Sequence, residues 1–286
     1  MHNGHPSADG RRHWRRLIAV WAALTVALAV VIVFVAGPHL PPGDRSSEAT
    51  DQRTGIIVLS CLVIPMTTAV VVYFAYALVA FRARPGDDEH PAAAPSRGNR
   101  RVSIAWVAAS LVTVLAAAAF GTVKIAGYAY GAGGGQGPDP TAKPAGDPYA
   151  VQVIGQQWAF TFRYPDAGGV ETTELALPVD RLVALHVTSL DVVHAFWAYG
   201  LGVKADAVPG ADNVAYVRPL EVGSFDVACA ELCGIAHGYM RTTVRVLEPG
   251  DFQAWIERQR TDAAAVTPHL PPYALTYNPV PVGRGG

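Results

Sequence analysis

The sequence predicts a membrane-anchored all-β protein: transmembrane helices first, then a β-sandwich or barrel. Three observations carry this reading. Three apolar runs lie before residue 127, each reaching the roughly 20 residues that a helix needs to cross the hydrocarbon layer. Beyond Tyr149 the chain changes to short β-branched and aromatic stretches divided by Gly, Pro, Asp and Asn, the pattern of strands and turns. The charge divides at the same place. Residues 1–146 hold 13 Lys and Arg against 8 Asp and Glu, a net +5, whereas residues 147–286 hold 9 against 15, a net −6.

Only 16% of the 286 residues are charged and the mean hydropathy is +0.23, which favours a membrane protein of one or two domains. An acidic second half suits a basic partner and makes nucleic acid an unsuitable one.

The first run extends from Leu17 to about Gly37, behind Arg11, Arg12, Arg15 and Arg16. A secretory signal has a shorter apolar region. No clear small-x-small cleavage site precedes Pro38, and no lipobox cysteine follows. The run is therefore read as a retained span or signal anchor, with a cleaved signal as the alternative.

The second run covers Ile56 to Phe81 and the third Val102 to about Ala126. Arg82, Arg84, Arg97, Arg100 and Arg101 lie between them, against only Arg45 and Arg53 between the first two. Positive loops stay in the cytoplasm, so everything after residue 127 is expected on the extracytoplasmic side of the cell membrane. Residues 1–130 are thus read as the anchor and the Gly- and Pro-rich residues 131–148 as a tether.

Within 149–260 seven strands are expected, at Tyr149–Gly155, Trp158–Tyr164, Arg181–Ser189, Val192–Ala198, Asn213–Arg218, Ser224–Cys229 and Arg241–Leu247. That number of short strands in roughly 100 residues argues for a sandwich or barrel. A closing helix is expected from Asp251 to Arg260, then a poorly ordered tail over 261–286.

The chemistry concentrates in C-A-E-L-C-G-I-A-H-G-Y-M, which places Cys229, Cys233, His237 and Met240 within twelve residues. Thiols, imidazole and thioether are soft or borderline ligands that select copper over magnesium or calcium. Two cysteines and a histidine also suit zinc, and a disulfide is a further reading of the pair. The thioether favours copper. The third cysteine, Cys61, falls inside an apolar run. His186 and His194 both stand beside apolar residues, and the plain reading of either is a hydrogen-bonded core imidazole.

Residues 149–260 resemble the periplasmic copper domain of subunit II of the haem-copper cytochrome c oxidases. The resemblance rests on Cys229-x-Glu231-x-Cys233-x3-His237-x2-Met240 and on Ser189-x-Asp191-Val192-x-His194-x-Phe196, followed by Lys204-x-Asp206-x-x-Pro209-Gly210. It rests also on Gly155-Gln156-Gln157-Trp158 and, in the third apolar run, on the segment from Arg101 to Trp106.

It implies a cupredoxin-like β-barrel holding two copper ions as a CuA centre. Cys229 and Cys233 would bridge the ions, His194 and His237 would bind one each, and Met240 and the Glu231 carbonyl would be weak ligands. The Glu231 carboxylate would face the haem-bearing subunit I and help to bind magnesium there. Trp158 matches the position that accepts electrons from cytochrome c. The implied role is an oxidoreductase and translocase subunit of the respiratory chain, an electron relay rather than the oxygen-reducing site. Its partners would be subunit I, other oxidase subunits, cytochrome c or another small carrier, and membrane lipid.

Two departures stand out. Ser103 occupies a position where many members carry a carboxylate near a proton path, and Phe160 stands where another Trp is common. No C-x-x-C-H haem attachment sequence occurs. The rivals are a tethered single-copper carrier, a quinol oxidase subunit without copper, a periplasmic copper chaperone, and a CuA subunit of another haem-copper complex such as nitric oxide reductase. The second cysteine opposes the first rival, the intact ligand set the second, and the three-span anchor the third.

Overall fold

The computed structural model describes residues 8–80, 82, 98–128 and 147–266. Phe81, the 131–146 part of the tether, and the tail beyond Val266 lie outside the described residues. The chain forms two compact units, one from residues up to 39 and 55–121, the other from 40–54 and 122 onwards.

The first unit is helical. Helix α1 spans Ala8–Val30 and runs on through a π-helical stretch, Val31–Ala36, and a 3-10 turn, Gly37–His39. Helices α2, Ser47–Ala80, and α3, Arg100–Tyr128, begin earlier than their apolar runs. The reason is capping, because a side-chain oxygen at the N-cap satisfies amides that the first turn leaves open. Ser46 Oγ accepts from the Ala49 N–H at 2.9 Å, and Asn99 Oδ1 accepts from the Arg101 N–H at 3.0 Å. Among the described residues, three helices are long and apolar enough to cross a membrane by length and composition.

Helices α1 and α2 are tied by polar side chains. Trp21 Nε1 donates to the Pro65 carbonyl at 2.8 Å, the Thr25 and Thr68 hydroxyls meet at 2.7 Å, and His13 Nδ1 lies 2.7 Å from the Tyr76 hydroxyl.

The second unit is a sandwich with ten strands among the described residues. One sheet has the order β3-β2-β1-β5-β8, formed by Val170–Thr172, Ala159–Tyr164, Tyr149–Gln156, Val183–Ser189 and Asn213–Val217. The other has the order β4-β10-β9-β6-β7, formed by Leu175–Pro178, Arg241–Leu247, Gly223–Cys229, His194–Ala198 and Val203–Ala207. Side chains from both sheets, among them Phe162, Phe196, Leu175, Leu185 and Val244, make one core.

Three of these strands escape the sequence reading, and each for a physical reason. Strand β3 has only three residues, and all four residues of β4 are buried, so neither alternates. Strand β7 alternates buried and exposed, but four of its five residues, V-K-A-D-A, are poor strand formers. The closing helix α4 spans Pro249–Val266, so it starts before Asp251 and overruns the expected tail. Three alanines, Ala263, Ala264 and Ala265, lie beyond Arg260, and alanine has the highest helix propensity, which keeps the helix going. Tyr149, Phe252 and Trp255 pack this helix on the core.

The expected anchor of residues 1–130 is interrupted, because residues 40–54 belong to the β unit. Ser46 and Glu48 are buried there. Ser46 Oγ donates to the Leu201 carbonyl at 2.6 Å, Leu220 N–H to the Arg45 carbonyl at 2.9 Å, and Arg218 N–H to Glu48 Oε2 at 3.0 Å. Gln52 Nε2 donates to the Gly202 carbonyl at 2.5 Å. At Gly202 φ is +64°, and a Cβ would stand 2.8 Å from the Ala49 backbone. Only glycine allows the strap to lie this close.

Candidate metal centre

The ligand-bearing loop begins where β9 ends. Cys229 is the last residue of that strand, and its N–H donates to the Met240 carbonyl at 3.0 Å. This bond brings the two ends of the loop together. Between them, His237–Tyr239 makes a 3-10 turn, and His237 N–H donates to the Gly234 carbonyl at 3.1 Å. The loop is built by its own backbone.

His194 arrives from β6, which pairs antiparallel with β9 so that Phe196 lies opposite Cys229. A further bond, Ala230 N–H to the Ala195 carbonyl at 2.9 Å, extends the pairing towards His194. The imidazole is fully buried. Its Nδ1 lies 3.9 Å from Cys229 Sγ and its Nε2 lies 2.8 Å from Asp191 Oδ1. A carboxylate on the outer nitrogen fixes the ring orientation of a ligand histidine. Gly155 gives the ring room, since a Cβ there would stand 3.0 Å from His194 Cδ2.

The remaining donors face one another at similar spacing. Cys229 Sγ and Cys233 Sγ are 3.8 Å apart, Cys233 Sγ is 3.6 Å from His237 Nδ1, and Met240 Sδ is 3.8 Å from Cys233 Sγ. The Glu231 carbonyl lies 3.3 Å from Cys229 Sγ. The cysteines are free thiols. Thiol and imidazole donors about 2.0–2.3 Å from a shared tetrahedral ion stand roughly 3.5–3.8 Å from each other. The spacing here therefore fits donors that share a metal. Cys229, Cys233 and Met240 are buried with His194, and Glu231 is exposed.

Protonation agrees with that use. Burial raises the Asp191 carboxyl, but hydrogen bonds from His194 and from the Gln157 and Val192 amides outweigh it and hold the group down to about 2. Asp191 is thus an anion at neutral pH. Burial first, then the Cys229 thiol, pushes Cys233 up to about 11. Without metal that thiol keeps its proton, so a metal that takes the thiolate must expel a proton.

Trp158 lies in the β1–β2 turn, 39% exposed, and its Nε1 donates to the Cys233 carbonyl at 3.1 Å. An exposed aromatic edge is thereby one hydrogen bond from the residue that carries a buried thiol. Asp191, Gln157 and Gly155 have no metal-ligating role in the sequence reading. The signal for Asp191 was its place three residues before His194. Gln157 and Gly155 stood only in the Gly155-Gln156-Gln157-Trp158 segment, which says nothing of their contacts with distant residues. His186 differs from the core imidazole expected of it. It is half-buried, and its Nδ1 meets Asp212 Oδ2 at 2.8 Å.

The comparisons with known proteins converge. A profile of the periplasmic domain of cytochrome c oxidase subunit II matches residues 169–247. Cytochrome c oxidase subunit 2 of Thermostichus vulcanus is 39% identical over 137 residues, covering 48% of this chain and 41% of that protein. The counterpart from Alkalihalophilus pseudofirmus is 29% identical over 234 residues, covering 80% of this chain and 64% of that protein. Residues 169–247 thus match the periplasmic domain of the cytochrome c oxidase subunit II family.

Among solved structures, the periplasmic domain of subunit II of the Bradyrhizobium japonicum cytochrome oxidase is 32% identical. That likeness covers 40% of this chain and 94% of the other, with a TM-score of 0.39. The chain spans only part of its full-length relatives, 41% and 64% of the two proteins above. Copper is the metal expected of a subunit II of this family, and the soft donor set around Cys229 and Cys233 fits it.

Proposed function

We propose that this chain is the electron-accepting subunit of a terminal haem-copper oxidase and that His194, Cys229, Cys233, His237 and Met240, with the Glu231 carbonyl, hold two copper ions as a CuA centre. One observation carries the reading. Each thiol has its own imidazole, Cys229 with His194 at 3.9 Å and Cys233 with His237 at 3.6 Å, and the thiols are 3.8 Å apart. Each also has one weak donor, the Glu231 carbonyl at 3.3 Å from Cys229 and Met240 at 3.8 Å from Cys233. A single-copper site of two histidines, one cysteine and an axial methionine would leave one thiol without a use.

When bound, copper in such a donor set supplies one-electron chemistry with little rearrangement of its ligands. The protein contributes the rest. The thiolates balance charge in a buried site, Asp191 holds His194 in one orientation, and Met240 and the Glu231 carbonyl tune the potential as weak donors. Trp158 offers the exposed edge for cytochrome c. The exposed Glu231 carboxylate and its neighbours Leu232, Ile235 and Tyr239, at 78%, 94% and 89% exposure, face the haem-bearing subunit. Glu231 can take part in a magnesium site there. Oxygen reduction belongs to that partner.

The anchor reading completes the proposal. Helices α1, α2 and α3 are three membrane spans, with the β-sandwich on the extracytoplasmic side. Helix α1 is retained, because hydrogen-bonding side chains buried in lipid need partners, and Trp21, Thr25 and His13 find theirs on α2. The mass of the purified chain tests this: a mature N-terminus between residues 38 and 44 would show that α1 is removed.

The copper reading is tested on the full-length chain in detergent by metal analysis and electron paramagnetic resonance. Two coppers per chain with a seven-line mixed-valence signal are expected. One copper with a four-line signal, or zinc, overturns the reading.

A further inference from the structure

We infer that Gln157 is a positioning residue that locks the Cys233 side of the metal centre to the His194 side. The inference rests on the copper reading above and deepens it. Two donors from one turn converge on a single carbonyl: Gln157 Nε2 at 2.8 Å and Trp158 Nε1 at 3.1 Å, both to the Cys233 oxygen. A carbonyl oxygen has two lone pairs, and both are engaged here. The same glutamine uses its backbone as well. Gln157 N–H donates to Asp191 Oδ2 at 2.7 Å, and the other oxygen of that carboxylate lies 2.8 Å from His194 Nε2.

Gln157 therefore joins the two sources of ligand. Its side chain holds the loop that carries Cys233, and its backbone holds the carboxylate that aims His194. The fit is close. Gly234 follows Cys233 with φ +120°, and a Cβ there would stand 3.1 Å from Gln157 Nε2 and 3.2 Å from Trp158 Nε1. The turn lies against the loop with no space for a side chain between them.

This division of labour separates two residues that touch the same atom. Trp158 is the exposed aromatic, so its loss affects electron intake. Gln157 is not an aromatic and touches no ligand atom. Its loss acts through the orientation of the Cys233 peptide and hence of Sγ. The copper spectrum should therefore respond to Gln157 more than to Trp158.

The test uses the full-length, copper-loaded chain. In Gln157→Met, which keeps the length and removes the donor, the copper hyperfine pattern and the visible charge-transfer band should shift and the midpoint potential should move, with two coppers retained. Trp158→Phe, which removes the longer of the two bonds to that carbonyl, should shift spectrum and potential less than Gln157→Met while oxidation of reduced cytochrome c slows by a factor of about 10 or more. Gln157→Asn, equally polar but too short to reach, should shift the spectrum in the same direction, and it decides the matter if the Met variant does not fold. Wild-type spectrum and potential in a folded Gln157 variant would overturn the inference. A wild-type chain with one copper or none would instead overturn the reading beneath it.

Discussion

The β-sandwich holds two segments that lie against its strands, and different contacts hold them. In the strap around residues 45–52, polar atoms meet partners at 2.5–3.0 Å: Ser46 with Leu201, Leu220 with Arg45, Glu48 with Arg218 and Gln52 with Gly202. In the loop from Cys229 to Met240, the backbone is equally well bonded, but the thiols, thioether and Nδ1 atoms face one another at 3.6–3.9 Å. The strap is held by short bonds between nitrogen and oxygen. The loop instead sets soft donors against one another at the spacing of atoms that share a metal.

This contrast can be broken at either segment. The largest effect is expected at the loop. Cys229→Ser or Cys233→Ser should abolish the proposed dinuclear centre, taking copper from two ions per chain to one or none in metal analysis. Met240→Leu should keep both ions and mainly shift the potential. A normal seven-line spectrum in Cys233→Ser would refute the proposed bridging by that thiol.

At the strap, Ser46→Ala removes the cap on Ala49 and the donor to Leu201 together. It should cost on the order of 2 kcal/mol of stability, read as a lower thermal unfolding midpoint, while the copper spectrum stays as in the wild type. A copper spectrum that changed as much as the midpoint would mean that the two segments are not independent. A fragment that begins at the tether lacks the strap and should be less stable than the full chain for the same reason.

The smallest effect concerns charge. Residues 147–286 carry a net −6, and charge steering weakens as salt screens it. Oxidation of a basic donor such as cytochrome c should slow as ionic strength rises, with the spectrum unchanged. A rate indifferent to salt would remove electrostatic steering and leave the exposed apolar side chains to guide docking.

Much of the site was legible because four of its donors sit within twelve residues, where ligand type and spacing can be read directly. Cys229, Cys233, His237 and Met240 belong to that class, and so do the three apolar runs, since length and hydropathy alone make a span. His194 was different. Beside Val193 and Phe196 it read as a core histidine, and only the resemblance to a known family raised it above His186. The structure separates the two by what each ring faces. The β6–β9 pairing and Asp191 aim His194 at Cys229, while His186 meets Asp212 near the surface.

What the sequence determined by itself was therefore local: donor chemistry, turn positions, span lengths and the division of charge. Tertiary structure alone decided which distant backbone atoms close on each other. It laid residues 45–52 on the β-sandwich rather than leaving them to the membrane anchor, and it turned Gln157 and Trp158 onto one carbonyl. The physical reason is that hydrogen bonds and close approaches depend on separation in space, and a hydropathy pattern carries no information about which segments will meet.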